Sequence, residues 1–120
     1  MPLKDWNEVN DSASRRLAKK GYEFLGVAFH YGPKNDMSDQ LLLRKEGTNY
    51  VVSVGYTFSG YRVKRTCVST VHGTTKDKIP LFGISIPELS AIDEKLASEI
   101  RRNVGEAYKE IIVDEGIDFL

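Results

Sequence analysis

The amino-acid sequence predicts an α+β fold: an antiparallel meander sheet of four to five strands, with an N-terminal helix and a long C-terminal helix packed on one face. Two observations point there. Apolar residues recur at helical spacing near both ends of the chain, and three central runs sort apolar from polar side chains once they are folded back at two tight turns. The 120 residues suit one domain, 1–120.

The first helix is expected from Asp5 onward. Asp5 and Glu8 have the spacing of a capping box, in which each side chain satisfies a free first-turn amide. Trp6, Val9, Ala13 and Leu17 follow at helical spacing. Arg15, Arg16, Lys19 and Lys20 load the end where the helix dipole favours positive charge, and Gly21 is a natural stop. From Tyr22 to Tyr31, Phe24, Leu25, Val27 and Phe29 crowd together with little alternation, as in a strand covered on both faces or nearly so. Pro33, Asn35 and Asp36 mark a loop.

Glu46-Gly47-Thr48-Asn49 and Phe58-Ser59-Gly60-Tyr61 read as tight hairpins. With two-residue loops, Leu43 faces Val52, Leu41 faces Val54, Tyr56 faces Val63 and Val52 faces Cys67, on one face with Tyr50 and Tyr61. The other face collects Gln40, Leu42, Arg44, Val51, Ser53, Gly55, Thr57, Arg62, Lys64, Thr66, Val68 and Thr70. A one-residue slip would scramble this sorting. Arg65 breaks it, landing in a layer with Leu41 and Val54; either a bulge turns it outward or an acid from a helix pairs it.

After a polar loop from Gly73 to Lys78, the run Ile79 to Ile86, with Pro80 and Gly83, reads as an edge strand or an extended connector. Ser85, Pro87 and Glu88 offer one helix start; Ser90 and Asp93 offer a second. Leu89, Ile92, Leu96, Ile100, Val104, Ala107 and Ile111 form a single stripe that should end near Gly116. Ile117, Phe119 and Leu120 leave an apolar tail that either packs on its own fold or meets a second subunit or partner, so a homodimer stays open.

Composition narrows the function classes. Lys plus Arg and Asp plus Glu both total 17, so the net charge is zero and general attraction to polyanions is lacking. Cys67 is the only cysteine, which excludes an internal disulfide scaffold. Met1 to Trp6 carries no apolar signal core, and no apolar run approaches the ~20 residues of a membrane span. A cytoplasmic protein with no membrane association is the expectation.

Chemistry-bearing residues are few. His30 and His72 are the acid–base candidates, set against the plainer reading of strand-end histidines. A pair without a third ligand makes a poor metal site, and neither metal nor cofactor is expected. Cys67, mid-strand on the apolar face, reads as an inert buried thiol. Glu23 and Asp39 are placed to reach a cleft, but no spacing marks a paired acid and base. Phosphate-loop, dinucleotide and nucleophile-elbow patterns are absent. The candidate binding surface is the second sheet face, where Arg44, Arg62 and Lys64 share a plane with Ser53, Thr57, Thr66 and Thr70. Tyr22 and Phe24 would add aromatic platforms, since phosphates want cations and bases want stacking partners.

The run Asn49-Tyr50-Val51-Val52-Ser53-Val54, its hairpin, and Gly83-Ile84-Ser85-Ile86 entering a helix resemble the PC4 family of transcriptional coactivators. That family is similar in having a four-stranded antiparallel sheet, then a helix, and it dimerises and binds single-stranded DNA. The resemblance covers about half the chain. The N-terminal helix, the longer C-terminal helix and the scarcity of basic residues depart from it, and no functional residue is carried over.

Three functions are therefore expected, in order. First is a small non-catalytic protein-binding domain, an adaptor or inhibitor, whose compactness suggests a prokaryotic or phage-encoded source. Second is a single-stranded nucleic-acid binder using Arg44, Arg62, Lys64, Thr57 and Ser53 on an open sheet face. Third is a small enzyme with a histidine acid–base.

Overall fold

A computed structural model describes residues 2–32, 37–59, 62–72 and 89–118. In chain order these form α1 (Trp6–Lys19), β1 (Glu23–Tyr31), β2 (Met37–Lys45), β3 (Thr48–Ser59), β4 (Arg62–His72) and α2 (Glu94–Asp114). The strands lie side by side in that order in one antiparallel sheet.

α1 begins at the expected cap. The Asp5 carboxyl accepts the Glu8 N–H at 2.9 Å, and Glu8 reaches back to the Lys4 N–H at 2.5 Å. Val9, Ala13 and Leu17 are buried, and the chain leaves the helix through Gly21 at φ +88°. Of the two starts open for α2, Asp93 is the cap, accepting the Leu96 N–H at 2.8 Å. The earlier start at Ser85, Pro87 and Glu88 lies outside the described residues. Ala97, Ile100, Val104, Ala107, Tyr108 and Ile111 turn inward, and the helix ends as Glu115 and Gly116 donate to the Ile111 carbonyl. Between the helices, Arg16 pairs with Asp114 at 3.0 Å and Glu115 at 3.3 Å. The Ser12 hydroxyl, with Arg16, holds the Glu115 carboxyl below its usual range.

The sheet register corrects the expected pairings. Leu43 lies opposite Tyr50 and Leu41 opposite Val52, two residues away from the expected partners. The turn is Glu46-Gly47 rather than Gly47-Thr48, because Glu46 (φ +50°) and Gly47 (φ +79°) both take the left-handed backbone that a tight β-turn of this hand demands. A shift of two preserves the faces, so Leu41, Leu43, Tyr50, Val52, Val54 and Tyr56 share one core with α1 and α2.

β4 departs further. Phe58 pairs with Val63 but Thr57 with Arg65, so Lys64 is an extra, bulged residue; a second shift follows between Val54 and Ser53. Cys67 consequently lies opposite Gly55, not Val52, and Arg65 opposite Thr57, not Val54. The bulge lies beside Arg65, whose side chain is outside the described residues, and it is the geometry that would turn the guanidinium outward. Arg65→Leu should then change stability by less than about 1 kcal/mol in urea unfolding. A loss of several kcal/mol would mean a buried ion pair had been broken.

β1 carries two bulges of its own, skipping Leu25 and Ala28 in the pairing with β2. Gly26, at φ +154°, supplies backbone freedom beside the first. This explains the missing alternation. Phe24 and Val27 pack on the main core, while Leu25 joins Leu42, Val51 and Leu89 in a second cluster on the opposite face. The Ser90 N–H donates to the Asn49 carbonyl at 2.9 Å, which pins the segment before α2 across that end of the sheet.

Of the apolar tail, Ile117 is buried in its own fold. It forms a parallel bridge with Leu3, bracketed by Leu3 N–H to the Gly116 carbonyl at 2.9 Å and Asp118 N–H to the Leu3 carbonyl at 2.8 Å. Phe119, Leu120, the turn at Gly60 and Tyr61, the loop with Pro33, Asn35 and Asp36, and the segments Gly73 to Lys78 and Ile79 to Ile86 lie outside the described residues. Among the described residues, no helix is long and apolar enough to cross a membrane.

Candidate functional site: a buried carboxyl and a half-buried imidazole

Alternation along β2 sends Met37, Asp39, Leu41 and Leu43 toward the helices, and all four are buried. Three are core residues of ordinary kind. Asp39 is a carboxyl with no exposed surface at all. Burying such a group requires partners for its oxygens. It has them on three elements. On β1, His30 sits directly across the ladder, its Nδ1 2.8 Å from Asp39 Oδ1. On β3, the Tyr56 hydroxyl donates to Oδ2 at 2.6 Å, and on α2 the Tyr108 hydroxyl donates to the same oxygen at 3.3 Å. The two tyrosine rings lie 5.7 Å apart.

α1 closes the site from above. Trp6 stacks on the His30 ring with centroids 5.0 Å apart. Asn10, one helical turn further on, brings Nδ2 to 3.3 Å from His30 Nε2. Gly32 permits this approach: a Cβ there would lie 3.0 Å from Met37 Cγ and 3.3 Å from Trp6 Cζ2. The His30 side chain keeps 25% of its surface exposed, so the carboxyl is sealed and the imidazole reaches solvent.

Burial above all, and then the adjacent Asp39, pushes the Tyr56 and Tyr108 hydroxyls well above the ordinary phenol range. Both therefore remain O–H donors. The contacts also suit one tautomer of neutral His30. Nδ1–H donates to Asp39, leaving the Nε2 lone pair to accept from Asn10. A carboxyl that fixes the tautomer of a ring still reaching solvent is the arrangement by which an imidazole serves as a proton acceptor and donor.

The residues expected to form a binding surface fare unevenly. Arg44 is partly exposed but engaged, its Nε donating to Asn49 Oδ1 at 2.6 Å and its Nη1 to Glu23 at 3.5 Å. Ser53 is buried at 8% exposure, and Thr57 is half-buried. Near the β2–β3 turn the second face is closed rather than open, because Leu42 and Val51 lie beneath Leu89. Arg62 pairs with Ser59 and Lys64 is the bulged residue. Their side chains, with those of Cys67 and His72, lie outside the described set. Tyr22 is buried; its hydroxyl accepts from Asn103 Nδ2 at 2.8 Å, and Lys45 lies 4.6 Å from its ring centroid. It is no platform for a base. No group of three or more metal-binding side chains occurs among the described residues.

The His30–Asp39 couple was missed by spacing rules because the two residues are nine apart across a hairpin. A signal did exist: Asp39 shares parity with Leu41 and Leu43, which marks it as an inward carboxyl needing a partner. No family model, curated protein or solved structure matches the chain.

Proposed function

We propose that this chain is a small binding domain whose working group is the His30 imidazole, held by Asp39 and exchanging a proton with the partner or substrate that docks against it. The expectation of a binding domain and that of a histidine acid–base meet at this one site, carried on a four-stranded meander with both helices on one face. A single observation supports the reading: a fully buried carboxyl 2.8 Å from Nδ1 of a ring that still reaches solvent.

Diethyl pyrocarbonate, which acylates an unprotonated imidazole nitrogen, tests it. Residue-resolved mass spectrometry should show His30 modified at neutral pH. Asp39→Asn should slow the reaction by about tenfold or more, because the asparagine amide donates to Nδ1 and drives the ring proton onto Nε2. An unreactive His30 in the unaltered protein, or equal rates in the two, would overturn the reading.

Single-stranded nucleic acid is the second reading, favoured by the partly exposed Arg44 and Thr57 on the second face. The closure of that face over Leu42, Val51 and Ser53 weighs against it. A salt-titrated oligonucleotide decides: absence of binding at low salt removes any role of Arg44, Arg62 and Lys64 in phosphate contact.

A further inference from the structure

We infer that Asn10 is the positioning residue of the His30 site, its side-chain amide turning end for end as Nε2 of His30 gains or loses a proton. The inference rests on the acid–base reading above and deepens it by naming the group that governs the second ring nitrogen.

Three constraints leave the ring little freedom. Nδ1 is held by Asp39 at 2.8 Å, one face is covered by Trp6 at 5.0 Å, and Nε2 meets the Asn10 amide at 3.3 Å. In the neutral ring, Nδ1–H donates to Asp39 and Nε2 accepts from Asn10 Nδ2–H. A proton taken from solvent onto Nε2 would set two donors, Nε2–H and Nδ2–H, against each other. The ring cannot turn away without breaking the Asp39 contact. The amide can. Rotation about the Asn10 Cβ–Cγ bond exchanges its oxygen and nitrogen, whose shapes are nearly identical.

The atom that would be brought into play is idle. Asn10 Oδ1 is buried and has no hydrogen-bond partner among the described residues. In the turned position it accepts from Nε2–H, a charge-assisted bond stronger than the neutral one it replaces. Either position leaves one polar atom of the amide unsatisfied, so the two are closely matched and the proton tips the balance. The groups facing His30 come from every element around it: Asp39 from β2, Tyr56 and Tyr108 through that carboxyl from β3 and α2, and Trp6 and Asn10 from α1. Asp39 is the only acid in direct contact with the ring among the described residues, and it touches the other nitrogen. Control of Nε2 therefore falls to Asn10.

Long-range proton–nitrogen NMR of the imidazole, recorded with the Asn10 side-chain amide signals from about pH 4 to about pH 9, reads both groups at once. His72→Gln assigns the ring. The expected result is that the Asn10 amide signals move with the same midpoint as His30 Nε2. Asn10→Asp, which can only accept, should hold the doubly protonated ring with about tenfold or greater proton affinity than the unaltered protein. If His30 titrates while the Asn10 amide signals stay flat, or if Asn10→Asp titrates as the unaltered protein does, the inference is overturned and the acid–base reading stands. A ring that keeps one protonation state throughout overturns both.

Discussion

Replacing Asp39 by alanine should remove about 3–5 kcal/mol of stability, measured by urea unfolding at neutral pH. The carboxyl has no exposed surface and collects Tyr56 at 2.6 Å, His30 at 2.8 Å and Tyr108 at 3.3 Å. Alanine removes the shared acceptor of two hydroxyls and a ring nitrogen, and a buried donor that loses its acceptor costs about 1–3 kcal/mol when it cannot reach water. His30 escapes part of that penalty because its side chain is 25% exposed; the tyrosines do not. Against a total stability of about 5–15 kcal/mol for a domain of this size, the loss is a large fraction. Asp39→Asn keeps the volume and one acceptor oxygen, so it should lose less, about 1–3 kcal/mol. Tyr56→Phe should cost more than Tyr108→Phe, because its hydrogen bond is shorter. An Asp39→Ala protein within about 1 kcal/mol of the original would mean that the carboxyl is not the hub of the core.

This hub shows where the sequence was informative and where it was not. The helix cap at Asp5 was legible because a cap is a local bond between residues three apart, and Asp93 belonged to the second of two starts left open for α2. The faces of β2 and β3 were legible because parity survives a register error of two. The register itself was not, since the choice between Glu46-Gly47 and Gly47-Thr48 as the turn depends on which residue tolerates a positive φ, and Glu46 adopts one without being glycine or asparagine. Bulges defeated the reading of β4 altogether: an unpaired Lys64 displaces every pairing behind it, and nothing in the residue types announces it.

The second face was misjudged for a different reason. Leu42 and Val51 were counted with polar neighbours by alternation, but Leu25 and Leu89 pack against them, and Leu89 comes from a distant part of the chain that the Ser90 N–H ties to the Asn49 carbonyl. The site suffers from the same blindness to long range. His30 and Asp39 were each noticed, but their meeting depends on the β1–β2 ladder. The tyrosines that complete it come from β3 and α2, with Tyr108 far away in sequence.

Ile100→Ala should cost about 2–5 kcal/mol, whereas Val113→Ala should stay within about 0.5 kcal/mol of the original protein. Both residues are β-branched and lie on α2, so helix propensity favours alanine at each by a similar small amount. The difference is burial: Ile100 has no exposed surface and joins the core cluster with Tyr50, Val52 and Val54, while Val113 is 82% exposed. Truncating Ile100 loses the transfer free energy of its removed carbons and leaves a cavity that α2 can close only by shifting against the sheet. Such a shift would also carry Tyr108, two turns along the helix, away from an Asp39 contact already at 3.3 Å. The loss for Ile100→Ala should therefore be partly shared with that for Tyr108→Phe, and the double variant should lose less than the sum of the two. Strict additivity would show that the core stripe and the carboxyl hub are independent, and equal costs at positions 100 and 113 would show that α2 docks by another face.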